Sequence, residues 1–293
     1  MSARRSKMLN TLKVGALLTG MTLLLVWLGN FLGGTTGMVI ALGFALVMNF
    51  GSYWFSDKLV LSAVRAQPVD PSQAPDLYRM VEELSAKAQM PMPRLYIVPD
   101  PTPNAFATGR SPKHGVVAVN QGLLNMLNRE EVAGVIAHEI AHIKHRDTLT
   151  MAVVATMAGA IMMIANILQF SAIFFPSSSS EEGGMNPIAA LGMAMIAPIA
   201  ATVIQMAVSR AREYEADRLA ADLVGSGRGL VSALQKLESG VARMPQTVPA
   251  NRAHMYISNP LRGGGLMKLF STHPATEDRV RRLMDHERRL AAR

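Results

Sequence analysis

"NREEVAGVIAHEIAHIKHRD", residues 128–147, sets two histidines four apart, with a glutamate directly after the first, inside an otherwise apolar run. Asn128 followed three residues later by Glu131 is a helix start with acids in the first turn. On a helix, positions i and i+4 share a face one turn apart, so His138 and His142 can reach a single ion. Glu139 is rotated aside and flanks that ion, where it can hold a water as general base. Ala133, Gly134, Ala137 and Ala141 keep the helix thin, so neighbours can approach closely. The competing reading, a buried helix with incidental polar residues, has to explain three polar side chains at metal spacing.

Composition narrows the class. The chain has 293 residues, 49% hydrophobic content and a formal charge of +8, yet its mean hydropathy is positive. That combination fits an integral membrane protein with basic segments on one side. There is no cysteine, which excludes disulfides and thiolate metal sites. A transition-metal site must then use histidine and carboxylate. Lys and Arg are scattered without interleaved aromatics, which argues against nucleic acid.

No charged residue lies between Lys13 and Asp57, and "GNFLGGTTG", 29–37, interrupts that stretch. Two spans follow, at about residues 14–32 and 38–55, joined by a tight turn and each near the ~20 residues a bilayer needs. The N-terminus "MSARRSK" also suits a signal peptide, but the apolar stretch is too long and no small-x-small cleavage site follows. A second uncharged pair covers about 150–175 and 187–208, with "PSSSSEEGG" between. A hydrophobic core hairpin is the alternative for this pair. Neither connector holds Lys or Arg, whereas Arg4, Arg5, Lys58, Lys144, Arg146, Arg210 and Arg212 flank the other ends. The positive-inside rule therefore puts both termini and the polar bulk in the cytoplasm.

Two soluble stretches remain, 57–147 and 210–293. The first opens with a helix, apolar at Leu77, Met80, Val81 and Leu84. "PRLYIVPD", "NAFATG" and "GVVAVN" are short β-type runs that suggest a small meander or hairpin. The motif helix then runs almost directly into the third span.

A third ligand can be sought by geometry. His145 is too far along the axis to meet an ion shared with His138, at ~1.5 Å rise per residue. The metzincin extension needs glycine at 145 and histidine at 148, where this chain has His145 and Thr148. The next acids on the right side are in "SRAREYEADRLAADLVG", 209–225, where the fourth span returns beside the motif helix. Glu213 and Asp217 share a face, whereas Glu215 points elsewhere. Glu213 is the better ligand, and Asp217 is placed to accept the second N–H of a ligand histidine. Read alone, "REYEAD" would be a solvated charged helix face.

"HEIAH", "SRAREYEAD", "NAFATG" and "STHPATEDRV", in this order around four spans, resemble the HtpX family of integral membrane zinc metallopeptidases, related to the CAAX prenyl proteases. The resemblance covers nearly the whole chain. It implies an inner-membrane quality-control and stress-response protease that cleaves misfolded or damaged membrane proteins on the cytoplasmic side. It also implies that Glu213, the first glutamate of its motif, is the third zinc ligand. In similar enzymes a histidine at the place of His273 lies near the zinc and stabilises an oxyanion; the other reading is a helix-entry residue. Asn104, Ala105 and Phe106 match the strand such enzymes use for substrate, although an ordinary hairpin strand fits them equally. The segment 244–270, with its "NPLRGGGLMKLF", could act as a lid. His114, His145, His254 and His286 read as surface or structural residues.

The expectation is therefore a mostly α membrane protein. Four transmembrane helices carry a cytoplasmic zincin-like α+β metallopeptidase domain with a small β-sheet. The division runs 1–56 for the first hairpin, 57–147 for the first catalytic part, 148–209 for the second hairpin and 210–293 for the second catalytic part. One Zn2+ per chain is held by His138, His142 and Glu213, with Asp217 behind them and Glu139 and His273 catalytic. The expected partners are unfolded or membrane protein substrates and the bilayer, with no nucleic acid. Self-association and partner membrane proteases stay open. A non-catalytic scaffold around a structural metal would need a fourth protein ligand. A prenyl-protein endopeptidase would need more spans.

Overall fold

Two glycines break the first apolar stretch. In the computed structural model, which describes residues 3–150, 210–243 and 274–292, helix α1 covers Ala3–Ala63 and loses helical geometry at Gly33 and Gly34, the latter at φ 56°. The two halves fold back on each other. Gly29 and Gly37 lie backbone against backbone, where a Cβ on either would collide with the other. Asn49 Nδ2 donates to Thr22 Oγ1 at 2.8 Å across the hairpin, and Val14, Met21, Leu25 and Ala45 fill its seam. Outward, Leu23, Trp27, Ile40, Val47 and Phe50 stand exposed. Among the described residues Gly33–Phe55 is the one helix long and apolar enough to cross a membrane, and Val14–Trp27 is a shorter apolar helix. The expected third and fourth spans, the segment 244–270 and His273 lie outside the described residues.

Beyond α1 the chain is mostly helical around a small mixed sheet. Strand β1 (Gln67–Pro68) precedes helix α2 (Pro75–Lys87). Strands β2 (Arg94–Val98), β3 (Ala105–Thr108) and β4 (Val116–Asn120) follow, with a 3-10 turn at Pro112–His114. The order is β1-β2-β4-β3. Strands β3 and β4 form the expected hairpin, with Ala105 opposite Val119. Strands β2 and β4 run parallel, Arg94 opposite Val116, so the sheet is not a meander. Strand β3 is left at an edge.

Alternation along the strands divides two cores. Leu95, Ala105, Val117 and Val119 face the main core with α2 and the helices that follow. Val98, Phe106, Val116 and Ala118 face the other way, onto Leu61 near the end of α1. The apolar hairpin is thereby seated directly on the back of the sheet. Arg94 and Asp57 tie the same junction at 2.6 Å.

Short helix α3 (Gln121–Met126) leads to α4 (Arg129–His145), whose capping box is complete. Asn128 Oδ1 accepts from the Glu131 N–H, and Glu131 accepts from the Asn128 N–H. Helix α4 is buried on nearly all sides, and its small residues allow this. A Cβ on Gly134 would stand 2.6 Å from the Leu230 backbone nitrogen. Against it pack α5 (Arg210–Val224) and α6 (Arg228–Arg243), and α7 (Thr276–Ala291) packs in turn on those two. The motif helix does not run straight on. Arg146 takes the left-handed conformation (φ 61°, ψ 30°) and caps α4, and a new helical turn starts after it.

Candidate active site

Helices α4 and α5 meet over the two histidines. His138 Nε2 and His142 Nε2 stand 3.1 Å apart. Glu213 reaches both, Oε2 at 3.6 Å from His138 Nε2 and Oε1 at 3.4 Å from His142 Nε2. Tetrahedral zinc with ligand bonds of 2.0–2.1 Å spaces its donors at about 3.3 Å, the mean scale of this triangle. The three residues form a cluster able to hold a metal ion, each of them buried.

The outer ring nitrogens are also engaged. His138 Nδ1 faces Asp217 Oδ1 at 3.0 Å, and His142 Nδ1 faces Asp147 Oδ2 at 3.2 Å. A ring that donates Nδ1–H to a carboxylate presents a bare Nε2 lone pair. Two such lone pairs converging on one spot suit a cation between them. Each carboxylate is in turn backed by an arginine. Arg279 takes Asp217 through Nε and Nη2 at 2.9 and 2.7 Å, and Arg212 lies 3.2 Å from Asp147.

Charge is compatible with a cation there. Glu139, Glu213, Asp217 and Asp147 are buried here with Arg279 and Arg212. With both rings neutral, ionised carboxylates outnumber guanidiniums by two, an excess that a divalent ion or protons on the two rings would balance. Burial disfavours ionised imidazole at His138, but the hydrogen bonds it donates to Asp217 and Glu213 outweigh burial and raise the pKa. At His142 burial is likewise overcome, by the Glu213 charge and by Asp147. Burial also works against the Asp217 carboxylate, yet Arg279 holds it at about 2.

Glu139 sits beside the cluster and outside it. Its carboxylate accepts the Ala107 backbone N–H, and burial raises its pKa. The Ala107 amide belongs to the outward side of β3, since Asn120 donates to the Asn104 carbonyl and the hydrogen-bonded pairs alternate from there. Asn104 and Ala105 are buried beside it. The Phe106 side chain turns to the back of the sheet, onto Leu61, so this residue anchors the strand. Glu215 is exposed on the far side of α5.

Two site residues escaped the sequence reading. Asp147 is five residues from His142, a spacing that no continuous helix would bring to one ring; the left-handed turn at Arg146 does so. Arg279 lies within the quoted "STHPATEDRV", and the signal was its position. It occupies the buried stripe of α7 with Leu283 and His286, where a charge needs a partner.

This arrangement defines a class: a helix-borne histidine pair, a carboxylate from a second helix and a glutamate alongside make a metallopeptidase centre. The family model for peptidase family M48 matches residues 71–287. Proteins described as "Protease HtpX homolog" from Burkholderia ambifaria (strain MC40-6) and Ralstonia pickettii (strain 12J) are each 51% identical to this chain. The matches cover 96% and 94% of it and 98% and 96% of those proteins. The chain belongs to peptidase family M48, in its HtpX branch. It is a membrane-associated metalloprotease, and its substrates are proteins. A solved structure, Ste24p of S. mikatae, shares the fold at a TM-score of 0.53 and 18% identity, over 96% of this chain and 66% of that one.

Proposed function

We propose that the chain is a four-span zinc endopeptidase of the inner membrane that cleaves unfolded or damaged membrane proteins on the cytoplasmic side. The observation that carries the chemistry is the buried triangle of His138, His142 and Glu213, in a pocket where carboxylates outnumber guanidiniums. Nitrogen and carboxylate donors without thiolate suit zinc. Bound there, zinc would supply Lewis acidity toward a substrate carbonyl and toward water. Asp217 and Asp147 fix the tautomers of the two rings and aim them. Glu139 is the general base: it takes a proton from the attacking water and passes it to the leaving amine. Its hydrogen bond to Ala107 joins it to the strand that would hold substrate.

The outward backbone of β3 supports substrate addition as an extra strand along Asn104, Ala105 and Phe106, through main-chain groups. His273 is proposed as an oxyanion donor, since it precedes α7 by three residues and Arg279 of α7 enters the site. The proposed organisation is a membrane hairpin over 1–56 and another over 148–209, with the catalytic domain assembled from 57–147 and 210–293. The test is metal content together with cleavage of an unfolded or membrane substrate by detergent-purified full-length protein, with and without chelator. Zinc near one per chain and chelator-sensitive cleavage are expected. Undiminished cleavage by fully metal-stripped protein would overturn the reading.

A further inference from the structure

Outside the metal site, a cavity of about 360 Å³ opens where the apolar helix meets the sheet. From α1 it takes Phe50, Trp54 and Lys58, from the start of β2 Arg94, and from the β3–β4 connection Arg110 and His114. Its chemistry is two-sided. The aromatic wall lies at the very end of Gly33–Phe55; Phe50 and Trp54 are 58% and 43% exposed, with ring centroids 6.0 Å apart. The amphipathic indole of Trp54 belongs at the level of lipid headgroups, with the apolar Phe50 ring beside it. Lys58 follows Trp54 by one helical turn and shares its face.

The cationic wall is assembled from three separate elements. The Arg110 guanidinium lies 4.6 Å over the Trp54 ring, and an Nη donates to His114 Nε2 at 2.8 Å. His114 Nδ1 lies 3.0 Å from Ser111 Oγ, so the connection is shaped around Arg110. Asp57 is already matched to Arg94 at 2.6 Å. Among the described residues neither Lys58 nor Arg110 has a carboxylate partner. Two uncompensated cations therefore stand over an aromatic floor at the end of a membrane-length helix.

We propose that this cavity is a binding site for the phosphate headgroup of an anionic phospholipid in the leaflet that meets the sheet. Arg110 and Lys58 take the phosphate as charge-assisted donors, and Phe50 and Trp54 cover the glycerol and first methylenes. The proposal rests on α1 crossing the bilayer, and not on the peptidase chemistry.

The chain carries only two tryptophans, Trp27 and Trp54, so the cavity holds its own reporter. Full-length Trp27→Phe protein is placed in nanodiscs of zwitterionic phospholipid with brominated chains, which quench Trp54. Unbrominated lipid, zwitterionic or anionic, is then added and the recovery of fluorescence read. Anionic lipid is expected to displace the quencher about 5- to 30-fold more effectively. Lys58→Gln and Arg110→Gln, made separately, should each reduce that preference about fivefold. Trp54→Phe protein, reporting from Trp27, should show no preference. Equal recovery with both lipids would overturn the proposal, as would a preference that survives both substitutions. Loss of the preference on adding inorganic phosphate at constant ionic strength would identify a free-anion site instead. Absence of any quenching would remove α1 from the bilayer and the proposal with it, while leaving chelator-sensitive proteolysis untouched.

Discussion

Arg279 and Asp217 form a two-bond contact, Nε to Oδ2 at 2.9 Å and Nη2 to Oδ1 at 2.7 Å, at a depth where each is at most 2% exposed. The contact ties α7 to α5. Through Asp217 Oδ1, 3.0 Å from His138 Nδ1, it also reaches the metal cluster. The C-terminal helix therefore positions a histidine it never touches in sequence.

Arg279→Lys should be far from conservative. Lysine keeps the charge but cannot make both bonds with one planar group, and Asp217 is left partly unsatisfied in a buried pocket. The charge stays but one of the two buried hydrogen bonds to Asp217 is lost, at about 1–3 kcal/mol, so a lowered melting temperature is expected. A loss of roughly 10–100-fold in zinc affinity should accompany it, as for other groups that orient a ligand histidine. Competition with a chelator of known affinity measures the second effect. Unchanged affinity in a destabilised variant would reduce Arg279 to a structural role.

Gly134→Ala tests how close α4 and α6 must come. The added methyl would stand 2.6 Å from Leu230 N and 2.9 Å from its Cα, which are backbone atoms that cannot rotate away. Overpacking of this kind costs about 1–3 kcal/mol. A melting temperature equal to wild type would mean that the helices can separate freely.

Much of this was legible in residues 128–147 and 209–225. The capping signal at Asn128 and Glu131 marks where α4 starts, the four-residue spacings set His138 with His142 and Glu213 with Asp217 on shared faces, and Gly33 and Gly34 mark the hairpin break. The rest depends on long-range or single-residue events. The parallel pairing of β2 with β4 leaves no local trace, because it is fixed by packing across the sheet. The return of Asp147 to His142 depends on one left-handed residue, and arginine at 146 does not announce it as glycine would. Arg279 reads as one more basic residue in "DRVRRL" until its place on the buried stripe is known.

Topology can be read by labelling, because the chain has no cysteine of its own. The connectors at 29–37 and 176–184 lack Lys and Arg, so Ser178→Cys should react with a membrane-impermeant reagent from the far side. Lys113→Cys and Arg289→Cys should react only once the cytoplasmic face is opened. Labelling of Ser178→Cys and Lys113→Cys from the same side would show that 148–209 does not span.

Glu131 gives a pH-dependent stability. Burial opposes its ionisation, but Lys236, Ser232 and the Asn128 amide outweigh burial and lower its pKa below the ordinary 4.5. A depressed carboxylate stabilises the fold above the unfolded value, and that contribution is lost as pH falls through the folded value. Lys236 is 45% exposed, so solvent discounts its share. Glu131→Gln should cost roughly 1–2 kcal/mol at neutral pH. The gap in melting temperature between variant and wild type should narrow once pH drops below about 4.5. A gap that stays constant with pH would assign the effect to packing alone.

The two glutamates nearest the histidines should separate cleanly by substitution. Glu139 lies beside the triangle and is held by Ala107, so Glu139→Gln preserves shape and donor contacts while removing the base. Metal content should stay at the wild-type value and turnover should fall by ~10²–10⁴-fold. Glu213 faces both Nε2 atoms at 3.6 and 3.4 Å, so Glu213→Ala should lose metal and activity together. Asp217→Ala should bind zinc about 10–100-fold more weakly and retain activity at saturating metal better than Glu213→Ala. Metal stoichiometry measured beside proteolysis on each purified variant decides the assignment. An active Glu139→Gln protein would remove the proposed base. A fully loaded Glu213→Ala protein would move the third ligand to Asp217, the other α5 carboxylate within reach of His138.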